Sequence, residues 1–233
     1  MNFTISSYTS LGKRQNNEDA LAVVRTVDGI LAVVADGLGG MNYGEYASKT
    51  AIDVLREDLK TACFSEEALE DAIHHANQVI YGGHDIYPEA RTTIAALWMY
   101  DNRAIAMHVG DTRIYHFRDG GIRYQSMDHS VAQLAVKAGD ITLEEIRSYD
   151  RRNVLIRALG TDTPQKITRS QLELQKGDRL LICSDGFWET IWEDQMISKM
   201  SGTEDAGKWL SKMREDVEPV ADDNNTAIAI LIS

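Results

Sequence analysis

Unbroken apolar runs alternate along this chain with stretches in which apolar residues recur every three or four positions, and that contrast sets out its elements. Residues 30–35 are apolar and end at Asp36-Gly37, and residues 104–109 end at Gly110-Asp111. Residues 180–184 run into Asp185-Gly186, while Asp223 shortly precedes the closing apolar run 227–232. Each run is predicted to be a strand. Two more are predicted at 92–100 and 113–117, the first joined to 104–109 by a hairpin-like turn at Asp101-Asn102 and the second stopped by Asp119-Gly120-Gly121. Helical spacing puts Ala47, Ala51, Val54 and Leu55 on one face of 44–60. It does the same for Leu69, Ala72, Ile73, Ala76 and Ile80 in 66–80, with Ser65 as N-cap and Glu66 and Glu67 in the first turn. Ser130 with Gln133, and Thr142 with Glu145, read as capping boxes that open two short helices separated at Ala138-Gly139-Asp140. A last helix carries Ala206, Trp209, Leu210, Met213 and Val217 on one face. Grouped strands with helices in pairs predict an α+β sandwich of mostly antiparallel sheets, not a doubly wound parallel fold. With no repeat and no composition break, residues 1–233 read as one domain, and 128–162 is the candidate for an inserted mobile segment.

Composition narrows the partners. The 233 residues carry a formal net charge of −12, which disfavours nucleic acid and anionic membrane as primary partners. It leaves phosphorylated substrates open, because bound divalent cations reverse the local sign of a carboxylate cluster. A 43% hydrophobic content supports a large core, and no run approaches the roughly 20 apolar residues of a membrane span. The amino terminus has no basic segment followed by an apolar stretch, so the chain is expected to be soluble and cytoplasmic. Cys63 and Cys183 offer neither a disulfide framework nor zinc spacing, and Cys183 reads as a buried small hydrophobe.

The strand-terminal aspartates carry the chemistry. Carboxylates on rigid strand ends that aim at one point repel each other unless a cation lies between them. Oxygen-only ligands suit magnesium or manganese rather than zinc. Asp36-Gly37-Leu38-Gly39-Gly40 adds glycines that let backbone approach a ligand. Upstream, Arg14 offers a bidentate fork for phosphate oxygens, and Glu18 and Asp19 supply further carboxylates. Each Asp-Gly alone is a common turn, and only their combination points to a metal-dependent enzyme acting on an anionic substrate.

Arg14-x-x-Asn17-Glu18-Asp19, Asp36-Gly37-x-Gly39-Gly40, Gly110-Asp111-Thr112-Arg113, Ser184-Asp185-Gly186 and Asp223-Asn224-x-Thr226 stand in the order seen in one family. The chain resembles, from about Tyr8 to Ile232, the metal-dependent serine/threonine protein phosphatases of type 2C, and most of all their compact bacterial members. The resemblance implies two central antiparallel sheets sandwiched between helix pairs, with a small helical flap at 128–162. It implies two, or three, Mn2+ or Mg2+ ions. Asp36 would bridge two of them, the Gly37 carbonyl would ligate the second, and Asp185 and Asp223 would complete the first. Glu18 and Asp19 would act on the side of the second metal, and Asp111 with Asp185 would hold a third. Arg14 would hold the substrate phosphate while a metal-bridged water attacks phosphorus. The implied substrates are phosphoserine and phosphothreonine on proteins, opposite a bacterial serine/threonine kinase, with a monomer as the default state.

The chain departs from the family pattern in places. Leu38 stands where many eukaryotic relatives have histidine, which leaves metal-bound water as the proton donor. Arg91 replaces the usual glycine before Thr92-Thr93, Thr112 replaces the commoner serine, and Glu189 takes a place often held by aspartate. His74 and His75 lie on a polar helix face, His108 reads as a hydrogen-bonded strand residue, and His129 either as a residue ordering the flap or as a plain turn residue before the Ser130 cap. Trp188 and Trp192 read as helix packing. Two competing readings are a pseudophosphatase that binds a phosphoprotein or kinase without turnover, and a hydrolase of small phosphate esters. Metal-binding calorimetry distinguishes the first, and the shape of the pocket the second.

Overall fold

The computed structural model describes residues 2–39 and 43–233, so the Gly40 of the glycine-rich motif lies outside the described residues. The chain runs through β1 (Phe3–Ser10), β2 (Asp19–Thr26), β3 (Gly29–Leu38), α1 (Tyr43–Leu59), α2 (Glu66–Gly82), β4 (Arg91–Thr92), β5 (Ile94–Tyr100) and β6 (Arg103–Val109). It continues through β7 (Arg113–Arg118), β8 (Gly121–Gln125), α3 (Val131–Ala138), a 3-10 turn at Glu144–Ser148, β9 (Thr168–Glu173) and β10 (Arg179–Cys183). It closes with α4 (Asp185–Trp188), α5 (Glu193–Ser198), α6 (Ala206–Val217) and β11 (Asn225–Ile232). The fold is α+β. One sheet has the order β1-β11-β10-β7-β8 and the other β2-β3-β5-β6-β9, with β4 paired to the end of β3.

The apolar runs lack polar alternation because both faces of each central strand are covered. In β3, Ile30, Ala32 and Val34 enter the core between the sheets with Leu97, Leu180, Ile182 and Ile228. The alternate residues Leu31, Val33 and Ala35 pack outward on Leu55, Ile73 and Ile80 of α1 and α2. On the other sheet, Leu181, Cys183 and Ala229 face Trp209, Leu210 and Met213 of α6. A period-2 strand therefore feeds two apolar layers at once, and burial of this kind supplies most of the driving force for folding. The helix starts are fixed by side chains. Ser65 Oγ accepts from the Ala68 N–H at 3.1 Å, Ser130 Oγ from Gln133 at 3.2 Å, and Asp205 from Lys208 at 2.8 Å.

Several expected elements take a different form. The strand expected at 92–100 breaks at Thr93, whose backbone and side chain both bond Asp36 instead of continuing the ladder. The second short helix is a single 3-10 turn. Glu145 does accept from the Thr142 N–H at 2.7 Å, but Leu143 stands at the cap position and has no side chain able to cap it. Val54 is only half-buried, and Ile52 takes its place in the core. Trp188 packs in α4, yet Trp192 stands at the cap position before α5 and lies 42% exposed under the Arg147 guanidinium, so the two do not share a helix.

Residues 128–162 close on themselves through a short bridge from Ser130 to Leu155 and join the sandwich through one from Thr92 to Leu159. Ion pairs tie the segment to the α4–α5 region: Arg147 meets Glu193 at 3.0 Å and Arg152 meets Glu189 at 3.2 Å. Among the described residues no helix is long and apolar enough to cross a membrane.

Candidate metal and phosphate site

The acids meet because strand ends from both sheets converge at one end of the sandwich. Asp19 opens β2 directly opposite Asp36 near the end of β3. By alternation from Leu21 and Val34, both point to the side between the sheets. Like charges placed opposite each other destabilise a ladder, so this pairing serves something other than strand stability. Asp111 follows β6, Asp185 opens α4 after β10, and Asp223 precedes β11. Glycines make the approach possible. A Cβ on Gly37 would lie 2.1 Å from the Gly44 carbonyl oxygen and 2.6 Å from that of Glu18, and one on Gly186 would lie 2.2 Å from the Asn224 carbonyl oxygen.

A polar framework holds each acid. The Asp36 N–H donates to Thr93 Oγ1 at 3.0 Å, and the Asp36 carbonyl accepts from Thr93 N–H and from Thr92 Oγ1. Thr93 in turn bonds the Thr112 hydroxyl at 2.5 Å, a contact that keeps the hydroxyl function at position 112 in use. Ser184 Oγ donates to Asp19 Oδ2 at 2.8 Å and accepts from the Thr226 N–H. Asn224 accepts from the Glu18 N–H at 2.8 Å and donates to the carbonyls of Leu11 and Asn16, which fixes the loop bearing Arg14 and Glu18. Trp188 Nε1 donates to the Asp111 carbonyl at 3.0 Å. The Gly110 N–H donates to His129 Nδ1 at 3.1 Å, and the His129 ring stacks on His108.

Glu18, Asp36, Gly37, Asp111, Asp185, Asp223 and Arg14 all line one cleft of about 450 Å³, together with Leu38, Asn153 and Leu155. Asp19 stands behind its wall rather than on it, buried against Ser184. A larger hollow of about 710 Å³ lies between β8, the 3-10 turn and α5, but its Arg113 and Arg147 are both engaged by Glu193. Convergent carboxylates, not size, single out the smaller cleft.

Burial dominates the electrostatics. It pushes Asp19 up to about 7 and Asp185 up to about 6, the latter helped by the charges of Glu189 and Asp223. Asp36 is raised well above the usual carboxyl range by burial and then by Asp185, Asp19 and Asp111. Asp111 is raised by burial, Asp185 and Asp128. Burial also raises Glu18, against the opposing pull of Arg14 and the Gly44 N–H. Burial and mutual repulsion thus favour the protonated form of these groups, and a bound cation would reverse that preference.

The donor set fits hard divalent cations. It is all oxygen, and Asp19 Oδ1 is buried without a hydrogen-bond partner. Among the described residues no three acidic, histidine or cysteine side chains are already arranged as an ion cage. Arg14 pairs with Asp223 at 2.6 Å, and Asp36 and Asp185 share a hydrogen bond, so the ligand oxygens are turned toward each other and toward the guanidinium.

Thr93, Ser184 and Asn224 stood in the sequence motifs without a role, and their positioning of the acids was missed, as were the cleft-lining Asn153 and Leu155. The usable signal for the first three was a polar residue at the end of an apolar run.

A family model described as Protein phosphatase 2C matches residues 8–225. A putative protein phosphatase 2C-type of Streptococcus pyogenes is 36% identical over 204 residues, covering 83% of this chain and 82% of the relative. The serine/threonine phosphatase of S. agalactiae superposes with a TM-score of 0.90 at 28% identity over 100% of both chains. The catalytic domain of the serine/threonine protein phosphatase PstP, solved in complex with two manganese ions, superposes with a TM-score of 0.86 at 26% identity over 99% of both chains.

Proposed function

Because the chain belongs to the protein phosphatase 2C family and is a serine/threonine protein phosphatase, we propose that the carboxylate cleft is its catalytic centre and dephosphorylates proteins modified by a serine/threonine kinase. The observation that carries this reading is the convergence of Glu18, Asp36, Asp111, Asp185 and Asp223 on one cleft with Arg14 at its mouth. Asp36, Asp185 and Asp223 would hold one Mn2+ or Mg2+; Asp36, the Gly37 carbonyl, Glu18 and Asp19 would serve a second; Asp111 with Asp185 would serve a third. When bound, these ions lower the pKa of water and offset charge on the phosphoryl oxygens.

The chain's own residues do the rest. Arg14 is exposed and holds a single carboxylate, so its fork can exchange Asp223 for two phosphate oxygens and orient the ester. Thr93, Ser184 and Asn224 fix the acids before substrate arrives, which is how preorganisation contributes to rate. Leu38 lines the cleft where a proton donor would be useful, and no histidine does so among the described residues, so the leaving alkoxide takes its proton from solvent. The protein works as a monomer, with residues 128–162 forming the flap beside the cleft.

Purified protein, stripped with chelator, is expected to hydrolyse a phosphothreonine peptide only after Mn2+ or Mg2+ is restored. Asp36→Asn and Asp185→Asn should each abolish turnover while leaving a folded protein. Turnover that survives both substitutions, or that needs no metal, refutes the proposal.

A further inference from the structure

Strand register sets beside the cleft a cation that the chemistry above does not use. Arg91 is the register partner of Leu38 across β3 and β4, and side chains at paired positions share a face. Leu38 lines the cleft. The neighbours of Arg91 in sequence, Ala90 and Thr92, are fully buried on the other face, and Ala90 packs there with Leu159. Alternation therefore turns Arg91 outward beside Leu38, and it is exposed. Arg14 in the cleft and Arg152 in the hollow next to it have carboxylates of their own, Asp223 and Glu189. Among the described residues Arg91 has no ion-pair partner. A long cationic side chain held on a strand end beside a phosphate site, with no internal carboxylate, is arranged to meet an anionic group of the substrate.

Resting on the phosphatase reading, we infer that Arg91 is a specificity-determining residue that recognises an acidic side chain flanking the phosphorylated one in a peptide substrate. The phosphorylated residue occupies the carboxylate cleft, and the neighbouring chain crosses the β3–β4 edge, where a glutamate or aspartate meets the guanidinium. The contact is beside the cleft, so it acts on binding more than on the chemical step.

The test compares one phosphothreonine peptide with neutral flanks and the same peptide carrying glutamates on either side of the phosphothreonine, using the metal-loaded protein. Wild type is expected to favour the acidic peptide in kcat/KM by about two- to fivefold, the range an exposed ion pair gives. That preference should appear in KM and shrink as salt is raised. The acidic-to-neutral ratio should fall to about one in Arg91→Gln and return in Arg91→Lys. Equal use of both peptides by wild type, or a preference that survives Arg91→Gln, overturns the inference. Hydrolysis of neither peptide overturns instead the phosphatase reading beneath it.

Discussion

Replacing Asp19 by asparagine should make the metal-free protein more stable, an outcome opposite to that of most buried substitutions. Asp19 is buried, faces Asp36 across the ladder, and has one oxygen without a partner. Its carboxyl is lifted from 3.8 to about 7, first by burial. Between those two values the folded chain binds this proton and the unfolded chain does not. Wild-type stability therefore falls as pH rises through that window and stays low above it. About three pH units correspond to roughly 4 kcal/mol at pH 8 as an upper bound. Asparagine removes the charge yet still accepts from Ser184, so a gain of roughly 2–4 kcal/mol is expected at pH 8 and almost none at pH 4. For a chain of this size that is roughly 5–15 °C in Tm. Thermal denaturation in chelator at both pH values measures it. An Asp19→Asn protein no more stable than wild type at pH 8, or a difference independent of pH, would refute the reasoning.

Other outcomes follow from the same geometry. Stabilisation by added Mn2+ should be larger at pH 8 than at pH 5.5, because Asp19 at about 7 and Asp185 at about 6 must shed protons to bind it; an equal Tm shift at both pH values argues against them as ligands. Asp128→Asn leaves the buried Arg113 guanidinium, now bonded to Asp128 at 2.9 and 2.8 Å, without its main partner. Urea denaturation should show a loss of about 3 kcal/mol. Arg14→Lys keeps the charge but loses the fork, and should lower kcat/KM on a phosphopeptide about tenfold, the scale of one charged hydrogen bond.

How far the sequence revealed the molecule depended on burial. The strands ending at Asp36 and Asp185 were legible because the layers on both sides of them demand unbroken apolar runs. The edge strands β8 and β9 were not, since Gly121–Gln125 and Thr168–Glu173 pair on one side only and carry polar residues outward. The break between β4 and β5 was hidden because Thr93 fits a strand by propensity, and only its bonds to Asp36, far away in sequence, draw it out of the ladder. The cleft acids could be gathered from motif order. Their scaffold could not, because Ser184 and Asn224 work through partners 165 and 206 residues away. Arg91 stood out in sequence as an irregularity, and it gained meaning only from its register with Leu38.

The central claim is that these carboxylates share divalent cations in one cleft. Crystals soaked in manganese and measured at its absorption edge test that directly. At least two anomalous peaks are predicted inside the cleft, in contact with Asp36, Asp185 and Asp223, with Arg14 released from Asp223. Peaks found only elsewhere, with the Arg14–Asp223 pair intact, would contradict the account.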